Sequence, residues 1–241
     1  MIKKIKAVFT YFSVCERILW CSSVLMIVAS FFVFDRKNYL TLTASIIGVT
    51  SLIFNAKGNP FGQVLMIVFS ILYGVISYSF SYYGEMITYL GMTAPMSVFA
   101  LISWLKNPYG GNRSVVKINR LTLKEILFMA GLTVAVTAGF YFILKAMGTA
   151  NLIPSTISVT TSFLAVYMTF RRSPGYAVGY AANDVVLIVL WSMASVSNVS
   201  YLSVVICFVV FLVNDVYGLI SWIAMQKRQT TAELTEKTAT L

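Results

Sequence analysis

Eight apolar blocks, separated by polar loops, fill most of the chain and constrain what it can fold into. A helix that spans a membrane needs about 20 apolar residues, because each residue rises about 1.5 Å through about 30 Å of hydrocarbon. Most blocks reach this length and only 11% of the residues are charged, which excludes an ordinary globular protein. The sequence therefore predicts an all-α, polytopic membrane protein with eight transmembrane helices. The blocks are residues 18–34, 39–54, 62–82, 86–105, 126–147, 153–170, 176–196 and 201–225.

The distribution of Lys and Arg predicts the orientation of these helices. With the amino terminus in the cytoplasm, fifteen of the eighteen basic residues lie inside, and only Arg36, Lys37 and Lys145 lie outside. Cytoplasmic loops are enriched in Lys and Arg, so we expect both termini to be cytoplasmic. The net charge of +10 flanks membrane spans, which favours contact with the lipid bilayer and not with nucleic acid. The inside set is Lys3, Lys4, Lys6, Arg17, Lys57, Lys106, Arg113, Lys117, Arg120, Lys124, Arg171, Arg172, Lys227, Arg228 and Lys237.

The sequence offers few groups for catalysis or for metal binding. The chain has no histidine, and Cys15, Cys21 and Cys207 show no paired spacing. These cysteines are typical of small apolar residues in helices. The sequence also lacks the glycine-rich loop that binds the phosphates of ATP. We therefore expect no catalytic residue, metal site or cofactor.

An internal repeat divides the chain. A shift of 118 residues places 42–106 over 160–224 without a gap, and the run Leu101 to Trp104 then matches Leu219 to Trp222. A unit of three helices reverses sides, so the helix at 126–147 restores the orientation of the second unit. This predicts parallel three-helix repeats in a three-plus-one-plus-three order, as in SWEETs, preceded by one extra helix. The predicted segments are 1–38 (basic segment and extra helix), 39–106 (first repeat), 107–152 (basic loop and linker helix), 153–226 (second repeat) and 227–241 (tail).

Polar side chains in the middle of the last two blocks predict a substrate site. Asp184 and Asp215 lie near the centres of their blocks, and each follows an asparagine, Asn183 and Asn214. A charged residue at that depth costs roughly 2.5 to 3.5 kcal/mol to insert and is usually functional. Packing between helices through hydrogen bonds is the alternative role.

Aromatic residues share helix faces with these carboxylates. Trp191 and Trp222 each follow an aspartate by seven residues, which is two helical turns. Tyr73 matches Trp191 in the first repeat, and both lie deep enough to stack on a ligand. Trp104 and Trp222 lie near the ends of blocks, where anchoring in the membrane interface is expected.

We expect the substrate-binding residues to converge near the middle of the membrane, with some additional polar groups at the cytoplasmic mouth. The candidates are Asn183, Asp184, Trp191, Asn214, Asp215, Tyr73, Gln63, Tyr217 and Asn55.

Several of these features also occur in a known family. They are an asparagine before the third block (Asn59), Asn183 early in the seventh, an aromatic after leucine (Leu72-Tyr73, Leu190-Trp191), and a polar-x-aromatic-small run before tryptophan (97–100 and 215–218). In these features the sequence resembles the bacterial nicotinamide riboside transporters, the Pnu vitamin transporters. Family members often carry asparagine where this chain has Ser97 and Asp215, and more tryptophan where Tyr176 and Tyr180 stand.

The resemblance implies a bacterial plasma membrane protein and facilitated diffusion of a vitamin or nucleoside, which a cytoplasmic kinase then traps by phosphorylation. We expect nicotinamide riboside as the first substrate and a homo-oligomer as a further partner. Thiamine and deoxynucleosides are alternative substrates. A substrate-binding membrane subunit of an ATP-driven vitamin importer is an alternative class of protein. A membrane-embedded enzyme is a third class, which the lack of histidine and of a paired nucleophile and base disfavours.

Overall fold

The computed structural model describes residues 11–80, 82–149 and 151–239, without the side chains of residues 236, 237 and 239. Lys3, Lys4, Lys6 and the side chain of Lys237 lie outside the described residues. Eight helices are long and apolar enough to cross a membrane, so the predicted class is confirmed. They are α1 (Val14–Phe34), α2 (Tyr39–Ala56), α3 (Phe61–Ser79), α4 (Tyr83–Lys106), α5 (Leu123–Ala146), α6 (Leu152–Phe170), α7 (Tyr176–Ser195) and α8 (Leu202–Ala239).

Helices α1 and α5 begin with the same capping motif. The hydroxyls of Ser13 and Thr122 accept a hydrogen bond from the backbone of Glu16 and Glu125, and each glutamate accepts one from the backbone of its cap residue. The motif satisfies donors that the start of a helix leaves free. It fixes where the first and fifth spans begin, at the same end of the bundle.

An irregular turn interrupts α4. Residues Thr88–Thr93 form a π-helix, and Pro95 follows two residues after its end. Proline has no N–H and clashes with the carbonyl four residues earlier, so the α-helical ladder cannot continue through this point. Such π segments occur frequently at functional sites. Here the wider turn carries the buried side chain of Tyr89.

The helices pack as two groups of three. Helix α3 contacts α2 and α4, and α7 contacts α6 and α8. Between the groups, the third helix of each packs on the first helix of the other, α4 on α6 and α8 on α2. Helix α5 packs on α6, and α1 packs on α2 and α8. These contacts are compatible with the predicted parallel repeats.

Two equivalent tryptophans meet between the groups and reveal the register of the repeat. The rings of Trp104 and Trp222 lie 5.4 Å apart. Trp104 donates to the carbonyl oxygen of Thr169 at 2.9 Å, and Trp222 donates to that of Asn55 at 2.7 Å. Asn55 and Thr169 are 114 residues apart, whereas the tryptophans are 118 apart. These two contacts place α2 and α6 four residues, about one helical turn, away from the gapless alignment. One of the four is an extra loop residue (171–175 against 57–60), and the other three lie at the start of α7.

A short segment that the sequence did not predict crosses one end of the bundle. Residues 107–120, here called the strap, include the antiparallel pair β1 (Pro108–Tyr109) and β2 (Asn112–Val116). Helix α8 continues about four turns beyond the predicted block, and its Gln229 donates to the Val116 carbonyl at 3.0 Å and accepts from the Ile118 backbone at 2.9 Å. These two hydrogen bonds thus fix the strap against the last helix.

The contact between α6 and α7 is unusually close. A Cβ atom added to Gly179 would lie 2.8 Å from the Cα of Ala165. Only glycine permits this approach, as expected for small residues at helix interfaces in membranes. The close contact brings the polar face of α7 against α6.

Candidate functional site

The carboxyl groups of Asp184 and Asp215 meet in the interior of the bundle. Helices α7 and α8 pack against each other, and the two carboxyl groups lie close enough to interact directly. Both side chains are 4% exposed, and no described N–H or O–H group outside the pair donates to Asp184 Oδ2. The structure therefore brings together the two acidic groups that the sequence singled out.

A third buried acid, Glu85, was missed by the sequence analysis. It lies in the first turn of α4, is 0% exposed, and its Oε2 accepts a hydrogen bond from Ser158 at 3.4 Å. Its Oε1 has no partner within the described residues. The glutamate falls just outside the apolar block at 86–105, so it was assigned to a loop. The chain has eight acidic residues, and an inventory of all eight would have drawn attention to it.

Asn183 connects these acids to α6. Its Oδ1 lies 3.2, 3.0 and 2.9 Å from the hydroxyl oxygens of Ser158, Thr161 and Ser162, within hydrogen-bonding reach of all three. The hydroxyl of Tyr89 in the π segment lies next to the same amide. These contacts fix the position of the amide within the interior.

An aromatic layer lies one to two turns from the acidic pair. Trp191 Nε1 donates to the Tyr73 hydroxyl at 2.6 Å, and both side chains are buried. The Trp191 ring also contacts Phe80, Tyr82 and Tyr201, at 5.9, 4.7 and 5.6 Å between centroids. Burial raises the pKa of Tyr82 above its usual value, so its hydroxyl stays neutral.

The interior is closed around these side chains. The cavity between Thr41, Tyr73 and Cys207 has a volume of about 10 Å³, roughly the space for one water molecule. Ligand pockets usually measure about 300 to 1,000 Å³. The aromatic layer therefore has to rearrange before a nucleoside-sized molecule can reach the acidic pair.

Two predicted site residues, Asn214 and Tyr217, contact α1 and not the acidic pair. Asn214 donates to the Ser23 hydroxyl of α1 at 3.0 Å and to the Val210 carbonyl at 2.8 Å. The Tyr217 hydroxyl donates to Glu16 at 3.2 Å, on the same side of α8. Successive residues on a helix are about 100° apart, so Asn214 faces α1 while Asp215 faces α7.

Gln63 and Asn55 form a pair near the end of the bundle that carries the strap. Gln63 Nε2 donates to Asn55 Oδ1 at 2.9 Å, and both side chains are 1% exposed. Gln63 Oε1 has no partner among the described residues. Gly62 permits this contact, because a Cβ atom there would lie 2.2 Å from Asn55 Oδ1. The pair is separate from the acidic pair and nearer the predicted mouth.

The tryptophans expected at the membrane interface are inside the protein. Trp104 and Trp222 are 1% and 0% exposed, and both donate to backbone carbonyls of the opposite group, as described above. The anchoring role is wrong, since their sequence positions near span ends did not reveal which face they occupy.

The interior site is acidic, and the described Lys and Arg side chains form no salt bridge with it. None of the salt bridges between described side chains includes Glu85, Asp184 or Asp215. Within the described ranges, no group of three Cys, Asp or Glu side chains is placed to hold a metal ion. A buried carboxylate needs a compensating positive charge or a proton. The arrangement is therefore suited to a positively charged organic ligand with polar substituents.

A bundle of eight spanning helices, with buried acids and an aromatic layer in its interior, is an architecture suited to a membrane transporter. Residues 38–224 match the profile of the family described as nicotinamide mononucleotide transporter. Because this match covers most of the chain, the protein belongs to that family, and the expected family is confirmed.

Individual proteins agree with this assignment. The chain is 28% identical over 215 residues to the nicotinamide riboside transporter PnuC of Neisseria mucosa, covering 87% of this chain and 81% of the relative. It is 22% identical over 195 residues to the protein of the same name from Haemophilus influenzae, covering 79% and 82%. A crystal structure of the vitamin B3 transporter PnuC superposes with a TM-score of 0.79 at 24% identity, over 90% of this chain and 94% of that one. This structure supports the fold.

Proposed function

We propose that the protein carries nicotinamide riboside across the membrane by facilitated diffusion, without chemical change to the substrate. The observation that carries the proposal is the acidic interior formed by Asp184, Asp215 and Glu85 in a chain of this family. The pyridinium ring of the riboside is a cation. A cation placed beside a buried carboxylate supplies the charge that the protein lacks.

Charge also distinguishes the riboside from the mononucleotide in the family description. The mononucleotide adds a phosphate, which brings close to two negative charges at neutral pH. Such a group would have to be buried among carboxyl groups. The described salt bridges place no Lys or Arg beside these carboxyl groups that could neutralise the phosphate. Phosphate sites normally use Arg, Lys or helix N-termini. The interior therefore favours the unphosphorylated substrate.

Each predicted residue of the central site has a role in this proposal. Trp191 and Tyr73 stack on the pyridinium ring, since aromatic faces attract cations by about 0.5 to 2 kcal/mol. Asp184 and Asp215 neutralise the charge, and Asn183 hydrogen-bonds the carboxamide or ribose. Gln63 and Asn55 bind the substrate on its way through the mouth. Asn214 and Tyr217 instead position α1 against α8.

The proposed carrier has a defined orientation in the membrane and acts together with other proteins. Both termini and the strap lie on the cytoplasmic side of a bacterial plasma membrane, supported by the bias of Lys and Arg in the sequence. Residues 39–106 and 153–226 act as the two transport units, with 1–38, 107–152 and 227–241 as the extra helix, the linker and the tail. A cytoplasmic kinase traps the product, because the carrier itself only equilibrates its substrate. The carrier assembles as a homo-oligomer.

A binding and flux panel on purified protein tests the substrate. Nicotinamide riboside should bind more tightly than its mononucleotide, thiamine, a deoxynucleoside or free nicotinamide. Proteoliposomes should equilibrate radiolabelled riboside without ATP or an imposed ion gradient. Tighter binding of thiamine would assign the site to that cation. Uptake that needs a separate ATPase subunit would indicate an importer subunit.

A further inference from the structure

The contact between the buried carboxyl groups of Asp184 and Asp215 implies that the pair holds at least one proton. Ionised carboxylates only accept hydrogen bonds, so two carboxyl groups in contact can bond each other only when one of them carries a proton. Two like charges in direct contact cannot both ionise in such a site. The pair therefore contains a proton that it can release, in the interior of the bundle.

The surroundings of the pair determine how many protons it keeps. The titratable groups that face it are Tyr176 and Tyr180 of α7, Tyr89 of α4 and Cys207 of α8, with Glu85 of α4 beyond Tyr89. All of these groups are neutral or acidic, and the chain contains no histidine. A single negative charge here would be buried without a counter-ion, which is costly. Without a ligand, both carboxyl groups are best accommodated as neutral acids.

One oxygen of the pair has no donor from outside the pair. Asp184 Oδ2 is buried, and no other described residue donates a hydrogen bond to it. A buried polar atom without such a donor normally has a functional reason. A cationic ligand would supply the partner that the protein does not.

We propose that Asp184 and Asp215 exchange one proton for one cationic substrate, so that the interior stays electrically neutral through the binding cycle. The O–H bond of one carboxyl group breaks and its proton passes to water. The resulting carboxylate neutralises the pyridinium, while the second carboxyl group keeps its proton and the hydrogen bond between the two residues. No covalent bond to the substrate forms. This inference deepens the proposed function and rests on it.

Proton exchange predicts a specific pH dependence of binding. Protons and the cation compete for the same pair, so acid weakens binding and alkali strengthens it until the empty pair has lost one proton. On the acidic side, the dissociation constant should rise tenfold for each unit by which the pH falls. A neutral ligand of the same shape should show no such slope.

Calorimetry counts the exchanged protons directly. Titrations of the full-length protein in buffers with different ionisation enthalpies, at mildly acidic pH, should give one proton released per nicotinamide riboside bound. The matched ligand is 1,4-dihydronicotinamide riboside, which has nearly the same shape without the charge. It should release none.

Variants identify the source of the proton. Asp184→Asn/Asp215→Asn should abolish proton release, whereas Glu85→Gln should still release one proton. Proton release that persists in the double variant and disappears in Glu85→Gln would assign the exchange to Glu85 and overturn the proposal. Should the double variant fail to fold, the proton count for the two ligands on the unmodified protein still decides.

The outcomes separate this inference from the proposed function. Tight binding of nicotinamide riboside with no proton release, and with an affinity independent of pH, would overturn proton exchange and leave the transport function intact. Absence of riboside binding in the panel above would instead overturn the proposed function.

Discussion

Replacing Gly179 with alanine tests whether the close contact between α6 and α7 positions the site. The added Cβ atom would lie 2.8 Å from the Cα and 2.9 Å from the N of Ala165. These are backbone atoms, so no side chain can move aside. Ordinary contact begins at 3.4 Å, and the helices therefore have to separate by about 0.6 Å. Overpacking of this kind costs about 1 to 3 kcal/mol.

The same displacement should weaken binding. Asn183 lies one turn further along α7, and its bonds to Ser158, Thr161 and Ser162 measure 3.2, 3.0 and 2.9 Å. A shift of about 0.6 Å takes these bonds to or beyond the limit for a hydrogen bond. The amide then loses its orientation. We expect riboside affinity to fall by about fivefold to a hundredfold, which corresponds to about 1 to 3 kcal/mol.

Gly131→Ala is the matched control. Gly131 is also a helical glycine, in α5, but a Cβ atom there has no neighbour within 4 Å. Its substitution should change the unfolding free energy by less than about 1 kcal/mol, because alanine favours the helix. Unfolding in detergent and calorimetric titration measure both effects. Equal stability and affinity for Gly179→Ala and wild type would refute the argument.

Three further predictions concern single contacts. Tyr73→Phe removes the acceptor of the buried Trp191 indole and should lower the unfolding free energy in detergent by about 1 to 3 kcal/mol; an unchanged unfolding curve would contradict this. Asn183→Ala should weaken riboside binding about fivefold to a hundredfold, whereas Asn214→Ala should mainly loosen α1 and leave the affinity within about twofold of wild type; calorimetry shows whether the two differ. Gln229→Ala removes both hydrogen bonds from α8 to the strap, so amides of residues 107–120 should exchange faster with deuterium while those of α3 keep their protection.

The sequence predicted the spans because hydrophobic length is a local property of each segment. It also predicted the meeting of Asp184 and Asp215, since a short connection forces α7 and α8 to be antiparallel neighbours. Asn214 faces α1, where it donates to Ser23. The sequence alone does not predict where α1 packs, so it could not predict this contact. A difference of about 100° between adjacent residues was enough to place Asn214 outside the central site.

The features that were missed depend on contacts between distant segments. Glu85 is buried because α6 supplies Ser158 as a partner, although its sequence position is typical of a loop. The four-residue change of register became visible only through the carbonyl oxygens that Trp104 and Trp222 select. The strap has little apolar sequence of its own, and its order comes from bonds to Gly58, Arg172 and Gln229.

The strap makes the two ends of the bundle unequal in stiffness. At its end, backbone bonds of 2.9 and 3.0 Å join Val116 to Gly58 and Asn119 to Arg172, so one loop is tied to both groups of helices. At the opposite end, the backbone bonds of the described loops stay within a single loop and its adjoining helix ends. Opening the tied end would break several bonds together, at about 0.5 to 1.5 kcal/mol each. At the end near Trp191, separating the described loops from one another breaks no backbone hydrogen bond between them. The bundle is therefore stiffer at the end that carries the strap.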